Sequence, residues 1–180
     1  MTWDAFHHRG DVLRSVVEEA NARRDGVLPM DLPGVAETFG DETALVAALQ
    51  LRWHTRLAGR IERSLMDRPD DLEAAVVSAW RGAAAELAGV REILDAHRAA
   101  PATPEMGAAL EKAHAKEAVL LAAMAGRASA SDAAAVRLGE RIEEKARAAY
   151  DPTATPRHLR DDDHGHPTGL LGRLKAHLAA

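Results

Sequence analysis

The chain has 180 residues and a mass of 19.3 kDa, which fits one domain with or without a tail. It contains no cysteine, which excludes disulfide bonds, thiolate metal sites and a cysteine nucleophile. A formal net charge of −5 argues against general nucleic-acid binding, because such proteins normally carry a basic excess. No apolar run approaches the ~20 residues of a membrane span. We therefore expect a cytoplasmic protein with no transmembrane segment and no nucleic-acid partner.

Five long segments carry apolar residues at helical spacing, and no alternating β-branched run appears. Thr103, Pro104 and Glu105 give the clearest helix start, since they supply an N-cap, a proline at the first position and a first-turn acid. A further single turn is expected near 35–39. The predicted helices are A at 2–26, B at 41–66, C from 70 to the AAPATP stretch at 99–104, D at 103–125 and E from 129 to about 149. These predict an all-α bundle of five main helices, mostly antiparallel because the connections are short, over residues 1–150.

The composition changes after Tyr150, where residues 151–180 begin with a proline-rich and charged stretch. Such a stretch favours a flexible extension. It is followed by leucines at helical spacing, which predict a short amphipathic helix that docks on a protein partner: Leu170, Leu171, Leu174 and Leu178. Docking back on the bundle and binding at a membrane surface are the alternatives.

Part of that C-terminal segment, LGRLK at 171–175, resembles the cargo-loading peptides of encapsulin shells, although Arg173 stands where a small residue is usual. That resemblance implies capture of the segment by a shell protein. The segments MTWDAFHHRGDVLR and LPMDLPGVAETF, with the alanine and arginine richness, resemble uncharacterised all-α proteins of high-GC bacteria. This second resemblance implies a bacterial cytoplasm and carries no activity.

Helix D holds the one cluster that resembles a metal site. Glu111, His114 and Glu117 are spaced three residues apart, so they share one broad face, and carboxylates with an imidazole can bind iron, manganese or zinc. The E-x-x-H pair resembles half of a ferritin-like di-iron site, whose second E-x-x-H is missing from this sequence. His54 or His97 could supply a further ligand to a divalent metal. In the alternative, both are half-buried histidines bound to neighbours.

Glu117 also lies on the apolar line of helix D, between Leu110 and Leu120. A buried isolated charge would cost several kcal/mol, so we expect Glu117 to have a partner. An arginine, a tryptophan or water could serve instead of a metal ion.

Helix B carries a line of four arginines on one face, which we call the arginine ridge: Arg52, Arg56, Arg60 and Arg63. Guanidinium groups in a line can bind phosphate or carboxylate ligands. The alternative is pairing with acidic residues of helices C, D or E, with Glu117 as an attractive candidate partner.

No Ser, His and Asp arrangement, glycine-rich phosphate loop or H-E-x-x-H motif supports an enzymatic activity. The leading hypothesis is a non-catalytic interaction or assembly protein that acts as a homo-oligomer or through its C-terminal helix. The alternatives are a metal or small-ligand site between helices B and D, and an anion site on the arginine ridge.

Overall fold

The computed structural model describes the backbone of residues 3–150 and the side chains of residues 8–150. That part of the chain is helical and contains no strand, which confirms the all-α prediction. The helices are α1 (Trp3–Arg23), α2 (Val35–Phe39), α3 (Glu42–Asp67), α4 (Leu72–Glu86), α5 (Ala88–Ala99), α6 (Pro104–Met124) and α7 (Ala133–Ala148). The expected cap at Thr2 and the predicted C-terminal extension lie outside the described residues.

Side-chain caps set the starts of the four helices α3, α4, α6 and α7. An oxygen of Asp41, Asp71, Thr103 or Asp132 accepts a hydrogen bond from the backbone N–H three residues later, at 2.8–3.1 Å. Each bond satisfies a donor that the first helical turn leaves without a partner. The predicted start of helix D at Thr103 is confirmed, whereas α4 and α7 begin slightly later than the sequence indicated.

The structure has seven helices in the described range where the sequence predicted five main ones. The single turn expected near 35–39 is α2, and predicted helix C is divided at Leu87, whose φ of −118° and ψ of 41° are not helical. Asn21 of α1 holds this break, because its Nδ2 donates to the carbonyl of Glu86 and its Oδ1 accepts from the N–H of Gly89, both at 3.0 Å. The apolar spacing of helix C continues through the break, so the sequence does not reveal it.

The most extensive helix pairs are α6 with α7 and α3 with α4. Each pair is joined by a short connection, so its members run in opposite directions. α3 also packs on α1, α2, α5 and α6, which makes it the central helix of the described bundle. None of the helices described is both long enough and apolar enough to cross a membrane.

Gly139 allows the backbones of α6 and α7 to touch. A Cβ atom at this position would lie 1.8 Å from the carbonyl oxygen of Ala118, which is far inside any van der Waals contact. The contact brings α7 against the buried face of α6. It therefore positions the charged side chains of α7 next to that face.

We expect Gly139→Ala to lower the free energy of unfolding by about 1–3 kcal/mol or more, because the added methyl group must push two backbones apart. The matched control is Gly59→Ala, at a helical site where an added Cβ meets nothing within 4 Å. That control should raise stability by about 0.5–1 kcal/mol, since alanine favours a helix over glycine. Urea denaturation followed by circular dichroism measures both. Equal effects of the two substitutions would contradict the close contact.

Candidate functional site

The carboxylate of Glu117 lies in the core, with 1% of the residue exposed, as its place on the apolar line of α6 predicted. The indole Nε1–H of Trp53 donates to Oε2 at 2.9 Å, and that of Trp80 donates to Oε1 at 3.2 Å. Each carboxylate oxygen thus has its own indole donor. The two rings meet edge to face, with centroids 5.8 Å apart. Trp53 comes from α3 and Trp80 from α4, so this one carboxylate joins three helices.

Arg91 of α5 supplies positive charge beside Glu117. It is only 7% exposed, and its Nη1 lies 3.7 Å from Oε2 of Glu117. Its guanidinium stacks over the ring of Trp53, with Cζ 4.9 Å from the centroid. The same group donates to Oδ1 of Asp95, one helical turn later, at 2.6 and 3.1 Å. Arg91 therefore contacts an aromatic face and two carboxylates at once.

Arg147 of α7 repeats this arrangement on the second indole. Its Cζ lies 4.9 Å from the ring centroid of Trp80. Its two Nη atoms donate to the two oxygens of Asp95 at 2.9 Å, and its Nε donates to Glu143 at 2.8 Å. Such two-point bonding of guanidinium to carboxylate is among the strongest polar contacts in proteins. Asp95 therefore accepts hydrogen bonds from both Arg91 and Arg147.

Burial by itself opposes the ionisation of Asp95, but the charge of Arg91 and the hydrogen bonds from both arginines outweigh it and hold the pKa of Asp95 below its usual value. Burial likewise opposes the charge of Arg147, yet Asp95 and Glu143 hold the pKa of Arg147 above its usual value. A carboxylate whose pKa is lowered by folding stabilises the folded state, and this stabilisation is complete at pH values above the pKa of the unfolded state. The contribution of Asp95 is therefore present at neutral pH and lost as the pH falls below about 4.

His114 lies at the edge of this cluster between two carboxylates of α7. Its Nδ1 is 3.6 Å from Oε2 of Glu143, and its Nε2 is 3.9 Å from Oε1 of Glu140. The two acids approach different ring nitrogens. To share one metal ion with the ring, both acids would have to lie near the same nitrogen. We call the following set the Glu117 network: Trp53, Trp80, Arg91, Asp95, His114, Glu117, Glu143 and Arg147.

The remaining residues of the predicted metal site lie apart from this network. Glu111 is exposed on α6, and His54 is half-buried on α3. His97 has its Nδ1 2.8 Å from the carbonyl oxygen of Ile93, within its own helix. Among the described residues, no group of three or more acidic, histidine or cysteine side chains is arranged to hold a metal ion. Binding of a divalent metal stays a prediction.

Two members of the arginine ridge are paired internally. Arg56 Nε and Arg60 Nη2 donate to the same oxygen of Glu86, at 2.7 and 2.8 Å. Burial raises the pKa of Glu86, but Arg60 and Arg56 outweigh that effect and lower it. The acidic partner is Glu86 of predicted helix C, which agrees with the alternative of pairing within the bundle. It is not Glu117, the candidate partner named from the sequence. Arg52 and Arg63 are exposed.

An open, largely apolar groove of about 560 Å³ lies between α1 and α3. Its apolar lining is Leu13, Ala44, Ala47, Ala48 and Leu51. Leu51 is 66% exposed although it lies in the middle of a long helix. Arg9 and Arg52 also line the groove, and Arg9 is held in place by stacking on Phe39 and by donating to the carbonyl of Thr38 at 3.0 Å. We call this surface the α1–α3 groove.

The groove was not predicted from the sequence. Alanine and leucine at helical spacing are equally typical of a buried face, so Leu51 gave no separate signal. The four leucines predicted to dock on a partner lie outside the described residues.

Most of the Glu117 network was also missed, although two signals were present. Arg91 with Asp95, and Glu143 with Arg147, are opposite charges four residues apart on one helix. That spacing reveals each pair but not the contact between the pairs.

Comparison of the chain with family models, with curated proteins and with solved structures gives no match.

We expect Glu117→Ala to lower the free energy of unfolding by about 3–5 kcal/mol, because it removes the acceptor of two buried indole donors and one of the two carboxylates beside the buried charge of Arg91. Glu117→Gln should cost about 1–3 kcal/mol, since its amide nitrogen faces one indole N–H. The control is Glu111→Gln on the exposed face of the same helix, which should stay within about 0.5 kcal/mol. Chemical denaturation followed by circular dichroism gives all three values. A Glu117→Ala protein with the same free energy of unfolding as the natural chain would contradict the role assigned to this carboxylate.

Proposed function

We propose that this is a non-catalytic interaction protein, and that its α1–α3 groove binds an amphipathic helix. The observation that carries the proposal is the two-thirds exposure of Leu51 in an apolar groove. Large apolar side chains in such grooves are typical contact points for the apolar face of a bound helix. Burial of Leu51 by a partner would contribute roughly 1.5–3 kcal/mol of binding free energy.

The shape of the groove supports a helical partner. Its lining on α3 comes from one face of the helix, because Ala44, Ala47, Ala48 and Leu51 are separated by three or four residues along a helical stripe. Three of these four side chains are methyl groups, so they leave room for larger side chains to enter. A leucine-bearing helix would fill that space, in the manner of helix-in-groove recognition.

The charges at the groove indicate the kind of helix that it would prefer. Arg9 and Arg52 both line it, and neither has an acidic partner within the part of the chain described here. Acidic side chains at the edges of a bound helix would therefore meet opposite charge, which favours specificity and fast association. The preferred partner is a helix with an apolar face and acidic flanks.

The Glu117 network also supports the proposal, because it fixes the position of α3. Its arginines, carboxylates and indoles are engaged with one another, and they tie α3 to α4, α5, α6 and α7. A helix fixed in this way offers a rigid wall to a partner. Rigid surfaces lose less conformational entropy on binding.

The test is fluorescence anisotropy with a labelled synthetic peptide that has a leucine face and glutamates on the other faces. The natural chain is compared with a form carrying Leu171→Asp and Leu174→Asp, so that its own leucines cannot compete. We expect saturable binding, and Leu51→Asp should weaken it about tenfold or more, because one lost leucine contact corresponds to at least that ratio.

Met66→Asp is the matched control. Met66 is 81% exposed on the same helix but does not line the groove, so its substitution should leave the affinity unchanged. Absence of saturable binding in both forms of the chain, or equal weakening by the two substitutions, would overturn the proposed function.

A further inference from the structure

The C-terminal leucine segment at 168–180 is a candidate occupant of the groove, and we infer that this segment of the same chain binds in the α1–α3 groove. The inference rests on the proposed function and names the helix that the groove takes when no other partner is present. Two features support it: the reach of the chain and the apolar match.

Tyr150, the last described residue, lies close to the end of α1. The hydroxyl of Tyr150 donates to the carbonyl of Ala84 at 3.2 Å and accepts from Arg24 Nη2 at 3.5 Å. Arg24 directly follows α1, and Leu13 of the groove is eleven positions earlier, or about 16 Å along the helix axis. Leu170 is twenty positions after Tyr150. Such a length of chain spans up to about 66 Å, so the segment reaches the groove with length to spare.

The sequence of the leucine segment predicts the apolar face that the groove requires. In a helix, Leu170, Leu171, Leu174 and Leu178 would fall on one side, with Arg173 and Lys175 outside that side. This face matches a groove whose walls are leucine and alanine. A leucine face left in water would lose the hydrophobic stabilisation that the groove offers.

The charges of residues 151–180 do not select the groove. Asp161, Asp162 and Asp163 precede the leucines, but Arg173 and Lys175 lie among them, and Arg9 and Arg52 line the groove. Burial of the leucines and the tether therefore favour this occupant, whereas attraction between charges does not.

A second copy of the chain carries the same leucines. A tethered segment, however, is present at an effective concentration on the order of millimolar. At micromolar protein concentration, binding within one chain is therefore favoured over binding between chains.

The absence of cysteine makes a disulfide test direct, because two introduced cysteines are the only thiols in the full chain. The test pair is Ala47→Cys in the groove with His177→Cys beside the leucine face. The control pair is Met66→Cys with the same His177→Cys. Met66 lies on α3 about 28 Å from Ala47, outside the groove. A disulfide needs Cβ atoms about 4 Å apart, so it reports close approach.

We expect the Ala47 pair to form an intramolecular disulfide at least tenfold faster than the Met66 pair under mild oxidation, at a rate independent of protein concentration. Adding Leu171→Asp and Leu174→Asp should reduce the rate to that of the control pair. Similar rates for the two pairs would overturn the inference. A product that consists mainly of disulfide-linked dimers would also overturn it, since the occupant would then be a second copy.

The two proposals can fail separately. If the labelled peptide binds in a Leu51-dependent manner while the two cysteine pairs react alike, the groove function stands and only its occupant is wrong. If the peptide does not bind and the cysteine pairs react alike, the groove itself is not a binding surface and both proposals fall.

Discussion

One buried carboxylate links five of the seven described helices. Glu117 can remain in the core only if its oxygens are bound, because an unpaired charge there would cost several kcal/mol. Two indoles and an arginine meet that need, and they come from α3, α4 and α5. Arg91 in turn requires Asp95, and Asp95 accepts from Arg147 of α7. The relative positions of five helices thus follow from satisfying one acid.

α3 has a buried face and an outward face. Its buried stripe, with residues such as Trp53 and Leu57 at steps of four, winds around the helix and reaches several neighbours. Its outward side carries Leu51 into the α1–α3 groove. A partner in the groove would therefore contact a helix whose opposite side is anchored to the Glu117 network, and the proposed interaction surface needs no movement of the core.

Local signals in the sequence predicted much of this structure. Thr103 and the apolar spacing identify α6, and the misplaced charge of Glu117 on that helix identifies a buried acid that needs partners. The partners themselves could not be predicted, because Asp95 and Arg147 are distant in sequence and meet only when α5 and α7 are packed. The break at Leu87 escaped prediction for the same reason, since it is held by Asn21 from another helix.

The central claim is that the indole N–H groups of Trp53 and Trp80 are bound to Glu117 in the core. Hydrogen–deuterium exchange of the nitrogen-15-labelled indoles tests it most directly, with each signal assigned through Trp53→Phe or Trp80→Phe. We predict that both indole protons exchange only through large-scale opening, with protection close to that of the slowest backbone amides. Exchange of either proton at the rate of an exposed indole would contradict it.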